Sequence, residues 1–216
     1  MDFETQNNPQ EGIPEAPVKQ RISEKKNQQR AMAKNVLIYL HDLAYLLAVV
    51  MILFLLVFRV VVVSGPSMYS TLMDGDYLLL ITGALYNDPQ SGDVIVACKD
   101  SFEDGMPIVK RVIAVEGQEV DIDFQAGVVY VDGIALEEPY TNTPTNLMEG
   151  VKFPVTVPNG CVFVMGDNRN ESRDSRYPGI GMIDEREILG KAIFLFLPGT
   201  HDGEMPRDFS RIGVVD

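Results

Sequence analysis

The chain is 216 residues long and carries a formal net charge of -13, with 31 acidic against 18 basic side chains. That balance argues against nucleic acid or an acidic substrate as partner, because a phosphate-binding surface needs clustered Lys and Arg. The length allows one domain of ordinary size beside a tail and an apolar segment.

Residues 1–35 are rich in Gln, Asn, Pro, Glu and Lys and show almost no apolar periodicity, so they are expected to form a disordered tail. In the window from 19 to 34, just before the apolar run, Lys19, Arg21, Lys25, Lys26, Arg30 and Lys34 stand against a single acid, Glu24, a bias that holds the N-terminus in the cytoplasm. Residues 36–63 are apolar apart from His41, Asp42 and Arg59 and the polar-tipped Tyr39 and Tyr45, and they predict one transmembrane helix. The 16 uncharged residues between Asp42 and Arg59 span about 24 Å, with His41 and Asp42 near one interface and Arg59 snorkelling toward the other. The run is too long for a signal-peptide core, and no small-residue cleavage pattern follows it.

Residues 64–216 then lie outside the cytoplasmic membrane, where a chain with this pattern should be mostly antiparallel β. The stretch Ser64 to Leu72, SGPSMYSTL, places Ser67 after Gly65 and Pro66, in a bend that lifts its hydroxyl clear while Met68 and Leu72 anchor the turn beneath. Strands are predicted over Tyr77 to Ile81, Val94 to Cys98 and Pro107 to Val115. In the last of these, alternation puts Lys110 on one face with Ile108 and Val112, and Val109 with Arg111 on the other. Lys110 is then either at a sheet edge with its ammonium in water or partly buried with a lowered pKa, and periodicity alone favours water.

Further strands are predicted over Val120 to Phe124, Val128 to Val131, Ile134 to Leu136, Phe153 to Val157, Cys161 to Met165 and Ile193 to Leu197. Asp132-Gly133 supplies a hairpin turn, and Tyr140 to Lys152 reads as a loop. The segment GDNRNESRDSR after Met165 is too charged for a core strand and reads as a solvated loop, although Ser172, Asp174 and Arg176 recur at alternate positions. Cys98 and Cys161 are the only cysteines; nothing in the sequence brings them together, so they are read as buried thiols. Without a Cys/His cluster, no zinc site and no other metal is expected.

The chemistry narrows by elimination. The two histidines are His41, on the cytoplasmic side, and His201, near the C-terminus, so a Ser/His/Asp triad would have to use His201. No carboxylate pair stands out from surface charge. A serine activated by a neutral lysine remains.

In that order SGPSMYSTL after a membrane helix, GDYLLL, PIVKRVIAVEGQEV and MGDNRNESRDSR resemble bacterial type I signal peptidase, a membrane-bound Ser/Lys endopeptidase. The resemblance implies Ser67 as nucleophile, Lys110 as general base, Ser172 as a hydroxyl that hydrogen-bonds and positions the lysine, and a structural ion pair of Asp174 with Arg176. It implies cleavage of signal peptides from exported preproteins after small residues of the Ala-x-Ala type, without a cofactor. The partners implied are preprotein signal peptides and the lipid bilayer of a bacterial cell membrane, crossed once. It reverses the reading of Lys110, whose ammonium must be desolvated to act as a base, with Ile108 and Val112 as an apolar wall. Arg111, on the opposite face, is left to pair elsewhere, with Asp174 as the candidate.

The chain departs from the pattern at Ser70, where the family usually has proline, and at Gly65, where some members carry an oxyanion-hole hydroxyl. The backbone N–H of Ser67 is then the main oxyanion donor, with Ser64 as a helper. Tryptophan is absent, so a membrane-dipping surface would have to use other apolar residues. The alternatives are a self-cleaving Ser/Lys repressor, which lacks such a helix, and a signal-peptidase-like pilin-processing enzyme or assembly chaperone.

Overall fold

The computed structural model describes residues 15–83, 85–99, 102, 105–200 and 206–215. Among these residues a long helix, α1 (Glu15–Val57), precedes twelve strands: β1 (Phe58–Val62), β2 (Tyr77–Thr82), β3 (Val94–Cys98), β4 (Pro107–Ala114), β5 (Glu119–Asp123), β6 (Val128–Val131), β7 (Ile134–Ala135), β8 (Val155–Thr156), β9 (Cys161–Met165), β10 (Ile183–Asp184), β11 (Ile188–Leu197) and β12 (Gly213–Val214). Among the described residues, the part of α1 from Ser23 to Val57 is long and apolar enough to cross a membrane. The segment Phe54–Asp216 forms a compact unit of its own.

All strand pairs are antiparallel. Eight strands make one sheet in the order β1-β2-β11-β3-β4-β9-β10, with β12 added to β11, and four make a second in the order β7-β6-β5-β8. The large sheet carries apolar packing on both faces. Val109 of β4 joins Val63, Met68, Leu72, Leu78 and Leu80 on one side, while Ile108 and Val112 join Ile95, Val162 and Val164 on the other. A strand buried on both faces reads as an unbroken apolar run, which is what PIVKRVIA shows except at Lys110 and Arg111.

Several boundaries differ from the sequence reading. Residues 15–35 are helical rather than disordered, and residues 1–14 of the expected tail lie outside the described residues. The segment is rich in Ala, Lys, Gln, Glu and Arg, all strong helix formers, and it extends an existing helix without a new nucleation step. At its other end α1 stops at Val57 instead of Val63, and Phe58–Val62 pairs with β2 from Phe58↔Ile81 to Val62↔Tyr77. Val60 to Val63 is a β-branched run, and the ladder to Tyr77–Ile81 satisfies its backbone.

β11 begins at Ile188, earlier than Ile193, and passes so close to β2 that a Cβ on Gly190 would lie 2.1 Å from the Ile81 carbonyl oxygen. The short β10 and β12 were not expected. Cys98 and Cys161 are not joined by a disulfide. They lie on β3 and β9, which flank β4 on opposite sides, so the strands are about 10 Å apart and beyond disulfide reach.

Candidate active site

The loop carrying Ser67 runs from the end of β1 to the start of β2 and is closed at its neck. Val63 N donates to Asp76 O at 2.8 Å and Gly75 N to Val63 O at 2.9 Å. Gly65 adopts a φ of 87°, which only glycine takes without strain, and its N–H reaches Asp74 Oδ1 at 2.8 Å. Met68 and Leu72 are 0% and 1% exposed beneath the turn, as expected, and each contributes about 1.5–3 kcal/mol of apolar burial. Ser67 is left half-buried on top. Its backbone N–H donates to no acceptor among the described residues, so it is available to a ligand.

Lys110 is 5% exposed, so the solvated arrangement that periodicity favoured does not occur. Its Nζ lies 2.7 Å from Ser67 Oγ and 3.0 Å from Val109 O. A contact of 2.7 Å serves a proton moving in either direction between the two atoms. The two side chains open onto a groove of about 230 Å³ walled by Val62 to Ser67 on one side and Met106 to Lys110 on the other. The β4–β9 ladder begins only at Arg111↔Met165, so among the described residues the Pro107 to Val109 part of β4 has a free edge on that side. A free strand edge can take an extended peptide as an added strand.

Behind the serine lies the GDNRNESRDSR segment, which is mostly buried, with Glu171 and Arg173 left exposed. Asp167, Arg169, Asp174 and Arg176 are each 0% exposed. The segment follows β9 back under the Ser67 loop. Asn168 N donates to Ser67 O at 3.0 Å, and Asn168 Nδ2 to Pro66 O at 3.2 Å. Gly166 sits where a Cβ would lie 2.4 Å from Ser67 O and 2.2 Å from Ser172 Oγ, so only glycine permits this approach.

Two expected partnerships differ. Arg111 does not pair with Asp174; its Nε and Nη2 donate to the two carboxylate oxygens of Asp167, each at 2.8 Å. The register explains the choice, because Arg111 stands opposite Met165 and Asp167 is only two residues further on. Asp174 is bound by Arg176 Nε and Nη2, each at 2.8 Å, and by Gly166 N at 3.0 Å. The Ser172 hydroxyl, expected to bond Lys110, is buried with no hydrogen-bond partner among the described residues. The Lys110 Nζ is directed to Ser67 Oγ and Val109 O, while Ser172 packs over Gly166.

Sequence reasoning missed Asp167 and Asn168, which hold the Ser67 loop. Thr71 Oγ1 also donates to Asp167 Oδ2 at 2.6 Å. It missed as well the Arg169–Glu138 pair, with Nη1 to Oε2 at 2.8 Å, and Tyr140, whose ring lies 4.0 Å from the Arg111 guanidinium carbon. Burial pushes the Tyr140 hydroxyl up to about 12, with the Glu138 charge adding to it. The signal available was that GDNR directly continues an apolar strand, so its charges had to be paired inside. His201 lies outside the described residues. His41 is an exposed residue of α1 whose ring nitrogen is 3.3 Å from Asp42. Among the described residues no His/Cys/Asp/Glu group has a metal-binding arrangement.

Residues 36–197 match the family model described as signal peptidase, peptidase S26. The chain is 37% identical over 151 residues to a probable signal peptidase I-1 of Synechocystis sp., covering 66% of this chain and 73% of the relative. It is 36% identical over 165 residues to signal peptidase I of Bacillus licheniformis, covering 72% of this chain and 86% of the relative. With signal peptidase I T of Bacillus subtilis the identity is 36% over 164 residues, covering 72% and 81%.

Proposed function

Since the chain belongs to the S26 family of signal peptidases, which are serine endopeptidases, we propose that it removes N-terminal signal peptides from preproteins through a Ser67–Lys110 dyad. The observation that carries this reading is the 2.7 Å contact between Lys110 Nζ and Ser67 Oγ at the mouth of a groove with a free strand edge.

The substrate's extended segment adds to the open edge of β4, which brings the scissile carbonyl over Ser67. Ser67 Oγ attacks the carbonyl carbon while neutral Lys110 takes the hydroxyl proton. The developing oxyanion is met by the Ser67 N–H, with Ser64 as the candidate second donor. Collapse breaks the C–N bond, and Lys110 passes its proton to the departing amine. Water then attacks the acyl-enzyme with Lys110 again accepting the proton, the bond from the acyl carbon to Ser67 Oγ breaks as Lys110 returns that proton to Oγ, and the signal peptide leaves as a carboxylic acid. At 5% exposure Lys110 loses most of the hydration that favours its ammonium, and this supports a neutral base near physiological pH. No step calls for a metal or cofactor.

Ser172, Asp174 and Arg176 act behind the dyad. The Asp174–Arg176 pair holds the Gly166 backbone that backs Ser67, and Ser172 fills the space against it. The small groove suits an Ala-x-Ala type segment. The proposed topology has α1 crossing the bacterial cell membrane once, the basic N-terminal segment in the cytoplasm, and the β unit outside against the lipid bilayer. A pilin-processing role would use the same dyad; a non-cutting assembly chaperone would not need the Ser67–Lys110 contact. Incubation of the purified protein with a preprotein, followed by sequencing of the new N-terminus, tests the reading. Cleavage after a small residue supports it, and an intact preprotein with a folded enzyme refutes it.

A further inference from the structure

The family match stops at residue 197, yet a cation beyond it closes on the Ser67 loop. Asp76, the last residue of that loop, is 0% exposed. Its carboxylate accepts from Met73 N at 2.7 Å, from Gly199 N at 2.6 Å, and from Arg211 Nη1 and Nη2 at 3.0 and 2.6 Å. Arg211 Nη2 also reaches Thr71 O at 3.3 Å.

The C-terminal segment is shaped to deliver this side chain. Asp208 caps the short turn Phe209–Arg211 through Ser210 N at 2.9 Å. β12 then pairs with β11 through Phe194↔Val214 and Leu195↔Gly213, and Val215 enters the same apolar cluster as Met68 and Leu72. The chain at Gly199 lies so close to the loop that a Cβ there would be 2.0 Å from Asp74 O.

Thr71 is therefore gripped from two directions, its hydroxyl by Asp167 and its carbonyl by Arg211. Leu72 N donates to Met68 O at 2.8 Å, so Thr71 lies within the hydrogen-bonded turn that directly follows Ser67. A displacement of that turn moves the nucleophile.

We propose that Arg211 is a positioning residue for catalysis, a brace from the C-terminal segment that fixes the far side of the nucleophile loop and holds Ser67 on Lys110. The proposal rests on the reading of Ser67 as nucleophile. It requires a guanidinium, because two prongs engage Asp76 and one reaches on to Thr71 O, whereas an ammonium supplies the charge without the fork.

The test uses the full chain in detergent micelles with a preprotein substrate, comparing Arg211→Ala, Arg211→Lys, Arg207→Ala and Ser67→Ala. Arg207 is the control, since it lies on the same segment but donates to Pro198 O at 2.7 Å. A loop misplaced by about 1 Å lowers rates roughly 100-fold, so Arg211→Ala should lose about 10- to 100-fold in kcat with KM within about threefold. The acid limb of its pH profile should stay in place, because the base is untouched. Added methylguanidinium should recover part of the loss in Arg211→Ala, and Arg211→Lys should fall between the two. A kcat for Arg211→Ala near that of the parent overturns the brace. So does a loss equalled by Arg207→Ala, one accounted for by the unfolded fraction, or one that methylguanidinium does not touch. Should Arg211→Ala fail to fold, Arg211→Lys decides: a lowered kcat at constant KM supports the proposal and an unchanged kcat overturns it. Turnover by folded Ser67→Ala removes the nucleophile reading itself, whereas inactive Ser67→Ala beside fully active Arg211→Ala removes only the brace.

Discussion

Substituting Gly166 by alanine adds one methyl group at a place where the backbone of Ser67, the proposed nucleophile, has no room to yield. The new Cβ would stand 2.4 Å from Ser67 O and 2.2 Å from Ser172 Oγ, against the 3.4–4 Å of ordinary contact. Ser172 can turn its hydroxyl away, although its Cβ would still stand 2.5 Å from the new carbon. The Ser67 carbonyl cannot, since Asn168 N holds it at 3.0 Å from a residue only two positions beyond Gly166. Relief therefore requires a shift of about 1 Å between the Ser67 turn and the Gly166 backbone, which lengthens the 2.7 Å contact of Ser67 Oγ with Lys110 Nζ. A misplacement of that size costs roughly 100-fold in rate, and the overpacking itself about 1–3 kcal/mol in stability. The assay is kcat/KM for preprotein cleavage by the full chain, with thermal unfolding measured alongside. A Gly166→Ala protein that is folded and cleaves within about threefold of the parent refutes the claim that this glycine sets the position of Ser67.

Three other substitutions probe the site from different sides. Lys110→Arg should be inactive although folded, because guanidinium stays protonated and cannot take the serine proton; kcat/KM of the parent should fall on acidification as Lys110 becomes an ammonium, and near-normal activity of Lys110→Arg or a flat profile would exclude the dyad. Asp167→Ala strands the buried Arg111 guanidinium and releases Thr71, so it should destabilise by about 3–5 kcal/mol in denaturant titrations and lower activity with it, whereas an unchanged midpoint would contradict the pairing. Burial, reinforced by the Asp174 charge, holds the Glu149 carboxyl above the usual range, so its neutral form favours the fold below the unfolded pKa and that contribution is lost as pH rises through the folded one. Glu149→Gln should then melt higher than the parent at neutral pH with the gap closing near pH 4, and a lower melting temperature at neutral pH would reverse the sign.

The sequence was most legible where a local pattern decides the structure. Gly65 and Pro66 marked the bend under Ser67, and Met68 and Leu72 are the anchors beneath it. The runs Val94 to Cys98 and Cys161 to Met165 became strands with the expected ends. Lys110 was legible as a residue on an apolar wall, but its exposure depends on which segment crosses in front of it. Partner choice was not legible for the same reason. Whether Arg111 meets Asp167 or Asp174 depends on the register of β4 on β9, which no spacing within either strand encodes. The GDNRNESRDSR segment misled most, because its charges suit solvent until Arg111, Arg169 and Arg176 are each given a carboxylate.

Those buried pairs raise the question of why charge is used where apolar side chains would pack as well. Desolvating an Arg–carboxylate pair consumes most of what its attraction returns, so three such pairs behind Ser67 are poor devices for stability alone. What they supply is direction. A fork on a carboxylate fixes two atoms of each partner, and the spare donors reach backbone carbonyls: Arg111 Nη1 binds Gly92 O at 2.7 Å, Arg169 Nε binds Gly166 O at 3.1 Å, and Arg176 Nη2 binds Arg169 O at 2.7 Å. Two of those carbonyls belong to the Gly166 to Arg169 segment, the strip that presents Asn168 to the back of Ser67. An apolar replacement would fill the volume and leave that strip free to slide. In the proposed mechanism Ser67 draws on a single lysine of a separate strand, so sliding by a fraction of an ångström would lengthen the 2.7 Å contact, and the charges stand where position matters more than stability.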